Sequence, residues 1–220
     1  KILIRTYNIR NLKRYKNKES YSNYFNREIK KGNLIRIKKG IYSTPDTPAY
    51  EIASNIIFPS YISLFTGLNY YQITEQIPNT IQVICTKQIR EIKFSNYTIK
   101  FIKVKPLWIF GIKREDNIFI ATQEKLILDA LKFQREMGNF DEIIELIKQA
   151  KIDIDIIISY LNKSQEISLI KSTGYLLERY KGIDIYPSFK KILKKNKNYI
   201  KINLSNKKKI LNKKWRVFVE

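Results

Sequence analysis

The sequence predicts an α+β protein: an N-terminal winged helix-turn-helix followed by a mixed α/β C-terminal domain. Three observations carry this expectation. Residues 9–44 hold a close succession of helix caps, an apolar stripe, a glycine stop and a basic hairpin. Residues 80–121 gather β-branched and alternating runs of strand length. From Gln123 onward the apolar spacing becomes helical. A chain of 220 residues, 44% of them hydrophobic, can bury a real core and is globular rather than disordered. The Pro-containing stretch after Thr44 marks a hinge, which predicts one domain over residues 1–46 and a second over 47–220.

At the N-terminus, Asn8 is placed to cap a short helix from Ile9 to about Tyr15. Asn17-Lys18-Glu19 reads as a turn, and Ser20 as the cap of a second helix, about Tyr21 to Lys31. Tyr21, Phe25 and Ile29 recur at i, i+4 and i+8, which makes one apolar stripe. Gly32 supplies a left-handed stop. Leu34–Ile37 and Ile41–Ser43 read as strands joined by Lys38-Lys39-Gly40. With Phe25 and Ile29 turned inward, the second helix presents Ser22, Asn23, Asn26, Arg27 and Lys30 outward. Asn pairs bidentately with adenine and Arg with guanine in a DNA major groove. Lys38 and Lys39, at the hairpin tip, suit phosphate or the minor groove. An ordinary solvated helix and hairpin would carry similar charges. The order of helix, turn, helix and basic hairpin is what favours DNA.

Further along, Pro45 and Pro48 break the chain, Pro48 starts a helix over Ala49–Ile57, and Pro59 closes it. Ile62–Tyr71 reads as an amphipathic helix. Thr80–Thr86 reads as a buried strand, followed by strands at Ile92–Phe94, Tyr97–Lys103 and Asn117–Ala121, with a turn at Asn96. Thr122 caps a helix over Gln123–Phe133, with Leu126, Ala130 and Phe133 on one face. Helices follow at Asp141–Ala150, Asp155–Leu161, Ile167–Tyr180 and Pro187–Leu193, then strands at Tyr199–Asn203 and Trp215–Val219. Cys85 reads as a small core residue, and Trp108 and Trp215 as packed anchors.

The net charge of +22 is unevenly spread. Residues 1–50 hold 13 Lys/Arg against 3 Asp/Glu, residues 51–184 hold 17 against 16, and residues 185–220 hold 12 against 1. A general enrichment in lysine would raise the middle as well. Two local basic fields around a neutral centre instead point to a polyanion, with nucleic acid ahead of a membrane surface. The lysines of the last region alternate with Ile, Leu, Tyr and Trp, which predicts a folded basic surface.

Composition also excludes much. There is no His and one Cys, which removes His-based triads, the common zinc sites and any disulfide within the chain, and fits a reducing, cytoplasmic setting. No apolar run approaches the length of a membrane span, and Ile2-Leu3-Ile4 is too short for a signal peptide. The chain opens on Lys1, which allows for native residues before it. No Walker loop, dinucleotide fingerprint or nucleophile elbow is present. Glu124 and Asp129, five apart on a helix, diverge by about 140° and suit one metal poorly. Glu124 is better placed to favour a helix N-terminus, and Lys125–Asp129 is an i,i+4 pair. No catalytic residue, metal site or cofactor is expected.

Four stretches together resemble the AbiEi family, antitoxin and transcriptional-regulator components of type IV abortive-infection toxin–antitoxin systems. The first runs from Ile29-Lys30-Lys31-Gly32 through Gly40-Ile41-Tyr42 and is similar to the family's helix end and wing. The second is Ser60-Tyr61-Ile62-Ser63 to Leu68-Asn69-Tyr70-Tyr71. The third is Phe110-Gly111 with Ile120-Ala121-Thr122-Gln123-Glu124-Lys125 to Asp129-Ala130-Leu131. The fourth is Gly174-Tyr175-Leu176-Leu177-Glu178 with Lys214-Trp215-Arg216-Val217. Tyr71 stands where many members have His, and Gln123 where many have Pro. The resemblance implies a winged helix that binds inverted repeats upstream of its own operon. It also implies a C-terminal domain that counters a nucleotidyltransferase-type toxin, with no stable complex required. The chain is then expected as a monomer or as a weak dimer on DNA. Two other classes fit the basic charge: a nucleic-acid-processing enzyme, and an RNA-binding or architectural protein using some of its 15 Tyr to stack bases.

Overall fold

The structure, a computed structural model, describes residues 6–8, 18–202 and 210–219, with the backbone alone for residues 6–8 and 18–22. It is an α+β fold with eight α-helices and three sheets among the described residues. No described helix is long and apolar enough to cross a membrane. The chain divides into two compact units by a different cut from the one expected between residues 46 and 47. One unit comprises the described residues up to Ile62 together with Pro78–Ile120. The other comprises Ser63–Ile77 and the chain from Ala121 on.

In the first unit, α1 (Lys18–Lys30) begins earlier than its sequence signals imply. Lys18, Glu19 and Ser20 are helical, so Ser20 lies inside the first turn and is not its cap. The helix expected over Ile9–Tyr15 lies outside the described residues. At the other end, Gly32 adopts φ 77°, and the N–H groups of Gly32 and Asn33 close on the carbonyls of Ile29 and Glu28.

Asn8, expected as a helix cap, belongs to a strand. β1 (Thr6–Asn8) pairs antiparallel with β3 (Ile41–Ser43), which also pairs with β2 (Ile35–Lys38). Lys38 closes β2, so the connection is the pair Lys39-Gly40, with Gly40 at φ 85°. The Phe25 ring stacks on Tyr42, centroids 4.4 Å apart and planes 11° from parallel, with Leu34 and Ile29 packed around them. That contact fixes α1 against the hairpin.

The rest of this unit is a mixed six-stranded sheet. Its strands are β4 (Ser60–Ile62), β5 (Thr80–Cys85), β6 (Ile92–Phe94), β7 (Tyr97–Lys103), β8 (Ile112–Glu115) and β9 (Ile118–Ala121), in the order β6-β7-β5-β4-β9-β8. β5 runs parallel to β7 and antiparallel to β4, while β4 runs parallel to β9. The sequence reading assigned Ile62 to a helix and did not foresee β4 or β8. β4 sits mid-sheet with all three residues buried, so it has no polar–apolar alternation to betray it. Helix α2 (Ala49–Asn55) packs on the sheet, and its Asn55 amide donates to the carbonyl of Asn117 at 2.7 Å. Cys85 and Trp108 are buried in this unit.

The second unit holds α3 (Leu64–Tyr70), α4 (Gln123–Lys132), α5 (Phe140–Gln149), α6 (Ile154–Ser164), α7 (Ile167–Lys181) and α8 (Tyr186–Lys195). A small sheet joins them: β10 (Ile200–Ile202), β11 (Ile210–Asn212) and β12 (Val217–Val219), ordered β10-β12-β11. Helix α4 lies among α3, α5, α6 and α7 and is buried from Glu124 to Leu131. The Thr122 hydroxyl caps it by accepting from the Lys125 N–H. Gln123 and Glu124 then accept the N–H groups of Lys151 and Asp153, which fixes the entry to α6. A Cβ on Gly67 would lie 2.7 Å from Leu126, so this glycine is what lets α3 approach α4. Tyr71 donates to the carbonyl of Ala121 at 2.7 Å.

Two features lock this unit. Lys125 and Asp129, both fully buried, pair at 2.6 Å, and the Ser63 hydroxyl donates to the second Asp129 oxygen at 2.8 Å. Burial pulls the Lys125 ammonium down to about 8, against the opposite pull of Asp129. In the second feature, Trp215 is fully buried in the turn before β12 and not within that strand. A Cβ on Gly174 of α7 would lie 2.1 Å from the Trp215 ring. The indole N–H donates to Glu178, one turn further along α7, and Lys214 bonds both Glu178 and Asp184 at 2.8 Å.

Replacing Gly174 by Ala forces the indole to move and is expected to cost about 1–3 kcal/mol, as overpacked cores do; urea unfolding of the two proteins measures it. Removing one partner of the buried pair, in Asp129→Ala, is expected to cost about 3–5 kcal/mol. The double variant Lys125→Met/Asp129→Leu should recover most of that loss in the same assay, because no charge is then left alone in the core.

Candidate nucleic-acid interface

Helix α1 has two faces because its sequence has two. Phe25 is buried and Ile29 half-buried, both against the hairpin, while Asn23, Asn26, Arg27 and Lys30 are exposed. Spacings of three and four residues place those four side chains along one strip. Ser22 lies on the same helix, and its side chain falls outside the described ones. The Arg27 guanidinium rests 5.7 Å from the centroid of the Tyr24 ring and 3.7 Å from Glu28. Glu28 is also approached by Lys31 and accepts from the Asn33 amide, and that hydrogen bond leads in holding its carboxyl below the ordinary value. Arg27 is thus oriented but still 65% exposed, which leaves its donors open to an incoming partner.

Lys38 and Lys39 are exposed at the end of the β2–β3 hairpin. They also line a cleft of about 390 Å³ within the first unit. Its other walls are Ile56, Ile57 and Phe58, after α2, and the loop from β5 to β6, with Lys87, Gln88, Ile89 and Arg90. Buried Ile41, Ile56 and Ile92 give it an apolar floor. No carboxylate among the described residues lines it. Lys38, Lys39, Lys87 and Arg90 have no ion-pair partner among the described residues. The Phe58 ring is 70% exposed and meets Phe119 edge-on at 6.2 Å.

Of the residues lining this cleft, the sequence singled out the two hairpin lysines and not Lys87, Arg90 or Phe58. Lys87-Gln88-Ile89-Arg90 reads as an ordinary polar connection after a strand, and Phe58 falls between the helix expected over Ala49–Ile57 and the Pro59 that closes it. Nothing in the local pattern brings Phe58, Lys87 and Arg90 beside the hairpin lysines, which lie well before them in the chain.

The described part of the basic C-terminal region belongs to the other unit. α8 buries Phe189 and Leu193 and exposes Lys190, Lys191, Lys194 and Lys195. Its far end is capped by Arg216, which donates to the carbonyls of Leu193 and Asn196. Lys171 of α7 donates to Asn196 and Asn198, and burial, with Arg216 adding to it, lowers its proton affinity. The residues that tempted a catalytic reading are engaged in the architecture: Glu124 holds a backbone N–H, and Lys125 and Asp129 have no solvent exposure. No group of three or more His, Cys, Asp or Glu among the described residues is arranged to hold a metal ion.

No family model and no curated protein sequence matches this chain. Its structure is similar to the crystal structure of RV2827C protein from Mycobacterium tuberculosis, with a TM-score of 0.56 over 90% of this chain and 79% of that one, at 10% sequence identity. At that identity the likeness is one of fold.

Proposed function

We propose that the chain is a duplex-DNA-binding repressor that reads DNA through α1 and the β2–β3 hairpin in the manner of a winged helix-turn-helix. The observation that carries this reading is the exposed strip Asn23, Asn26, Arg27 and Lys30 on a helix whose other face is stacked on a hairpin ending in Lys38 and Lys39. The strip supplies base-reading donors and acceptors; the hairpin supplies phosphate contacts. The basic face of α8 adds a second cationic surface. The resemblance to the AbiEi family extends the proposal. The DNA would be an inverted repeat at the chain's own promoter, and the second unit would counter a nucleotidyltransferase-type toxin.

A gel shift with promoter DNA, competed by random duplex, tests the core of this reading; equal affinity for both would sink it. Asn26→Ala and Arg27→Ala are expected to reduce discrimination by about 1–3 kcal/mol for each base pairing removed, measured as the ratio of operator to random-duplex affinity. Lys38→Ala/Lys39→Ala should weaken binding to both duplexes alike. The slope of log affinity against log salt should flatten by about 2 in that variant. Co-expression with a neighbouring nucleotidyltransferase tests the antitoxin role, which predicts restored growth without copurification being required.

A further inference from the structure

A duplex backbone calls on cations alone, because its bases are stacked inside the helix. The cleft beside the hairpin offers more than cations. It joins a cationic rim to an apolar floor and an exposed aromatic ring. An unpaired strand presents phosphates and open base faces together, one after another along its length. We propose that this cleft binds a nucleotide of a single-stranded nucleic acid, its base over Phe58 and its flanking phosphates on Lys38, Lys87 and Arg90.

Three features support this occupant. The volume, about 390 Å³, falls in the range of small-ligand sites, roughly 300–1,000 Å³. Among the described residues, the lining holds no carboxylate to repel phosphate. The Phe58 ring stands exposed, with Phe119 edge-on beside it. Glu91, next to Arg90 in sequence, is exposed and does not line the cleft. The polar strip of α1 takes no part in the cleft; Lys38 would serve both sites, so Phe58, Lys87 and Arg90 separate this proposal from duplex reading.

Fluorescence anisotropy of the full chain with short labelled oligo(dT) and oligo(U), beside a random duplex, tests it. Phe58→Ala is expected to weaken single-strand binding by about 5-fold or more, the size of a missing base–aromatic stack, and to leave duplex affinity nearly unchanged. Lys87→Ala/Arg90→Ala should weaken single-strand binding and flatten its salt slope by roughly 0.7 for each phosphate no longer neutralised. Arg27→Ala, on α1, should leave it unchanged. Binding of either oligonucleotide with this pattern supports the site, and the tighter of the two identifies the sugar. Absence of binding to both overturns the proposal. So does a Phe58→Ala variant that folds normally by thermal unfolding and binds both strands as before, or one that loses duplex and single strand equally. A failed operator gel shift would leave these outcomes untouched.

Discussion

A carboxylate with no solvent contact must be met by an opposite charge and by hydrogen-bond donors, and Asp129 imposes that requirement on the second unit. Lys125, one turn earlier on α4, supplies the charge; Ser63, at the start of α3, supplies a donor. The pairing therefore ties two helices that lie far apart in sequence. The same α4 carries Thr122 as its cap, and Gln123 and Glu124 as anchors for the entry to α6. A single helix thus sets the positions of its neighbours through its polar groups, while its apolar residues fill the space between them. Such a pair adds little net stability over a hydrophobic substitute, but it is costly to break. Its physical effect is to make one arrangement of α3 on α4 far better than its alternatives.

The Gly174–Trp215–Glu178 contact works similarly at the other end of that unit. The indole needs flat backbone to lie on and an acceptor for its N–H, and α7 offers both one turn apart. Lys214 then balances Glu178 and Asp184. With the turn before β12 so fixed, Arg216 reaches the open carbonyls at the end of α8. The face of α8 that carries Lys190, Lys191, Lys194 and Lys195 therefore belongs to an anchored helix. Charge held in fixed geometry recognises a polyanion at a lower entropic cost than the same charge on a free tail.

Legibility followed the range of the interactions involved. α4 to α7 were readable because their signals are local: Thr122 and Asn139 sit at helix starts, Gly182 closes α7 at φ 69°, and the apolar spacing runs unbroken between. β5 and β7 were readable as β-branched runs. β1, β4, β8 and β11 were not, because strands of three or four residues carry too little pattern and owe their existence to partners elsewhere in the chain. Ser60-Tyr61-Ile62 merges in sequence with the helix after it, since a strand buried on both faces looks like any apolar run. The start of α1 was misplaced for a related reason: Ser20 is a good cap by type, yet the helix extends to Lys18.

By itself, the sequence determined the α+β class, the neutral centre between two basic regions, the two-faced character of α1 and the lysines at the hairpin tip. All of these are properties of composition or of spacing within one or two turns. Only the tertiary structure decided that Lys125 and Asp129 lie sealed in a core, that Gly174 is a seat for Trp215, and that Lys87, Arg90 and Phe58 share a cleft with Lys38 and Lys39. Each of these depends on which distant segments meet. That is set by the packing of whole elements and the pairing of strands, and no local periodicity records it.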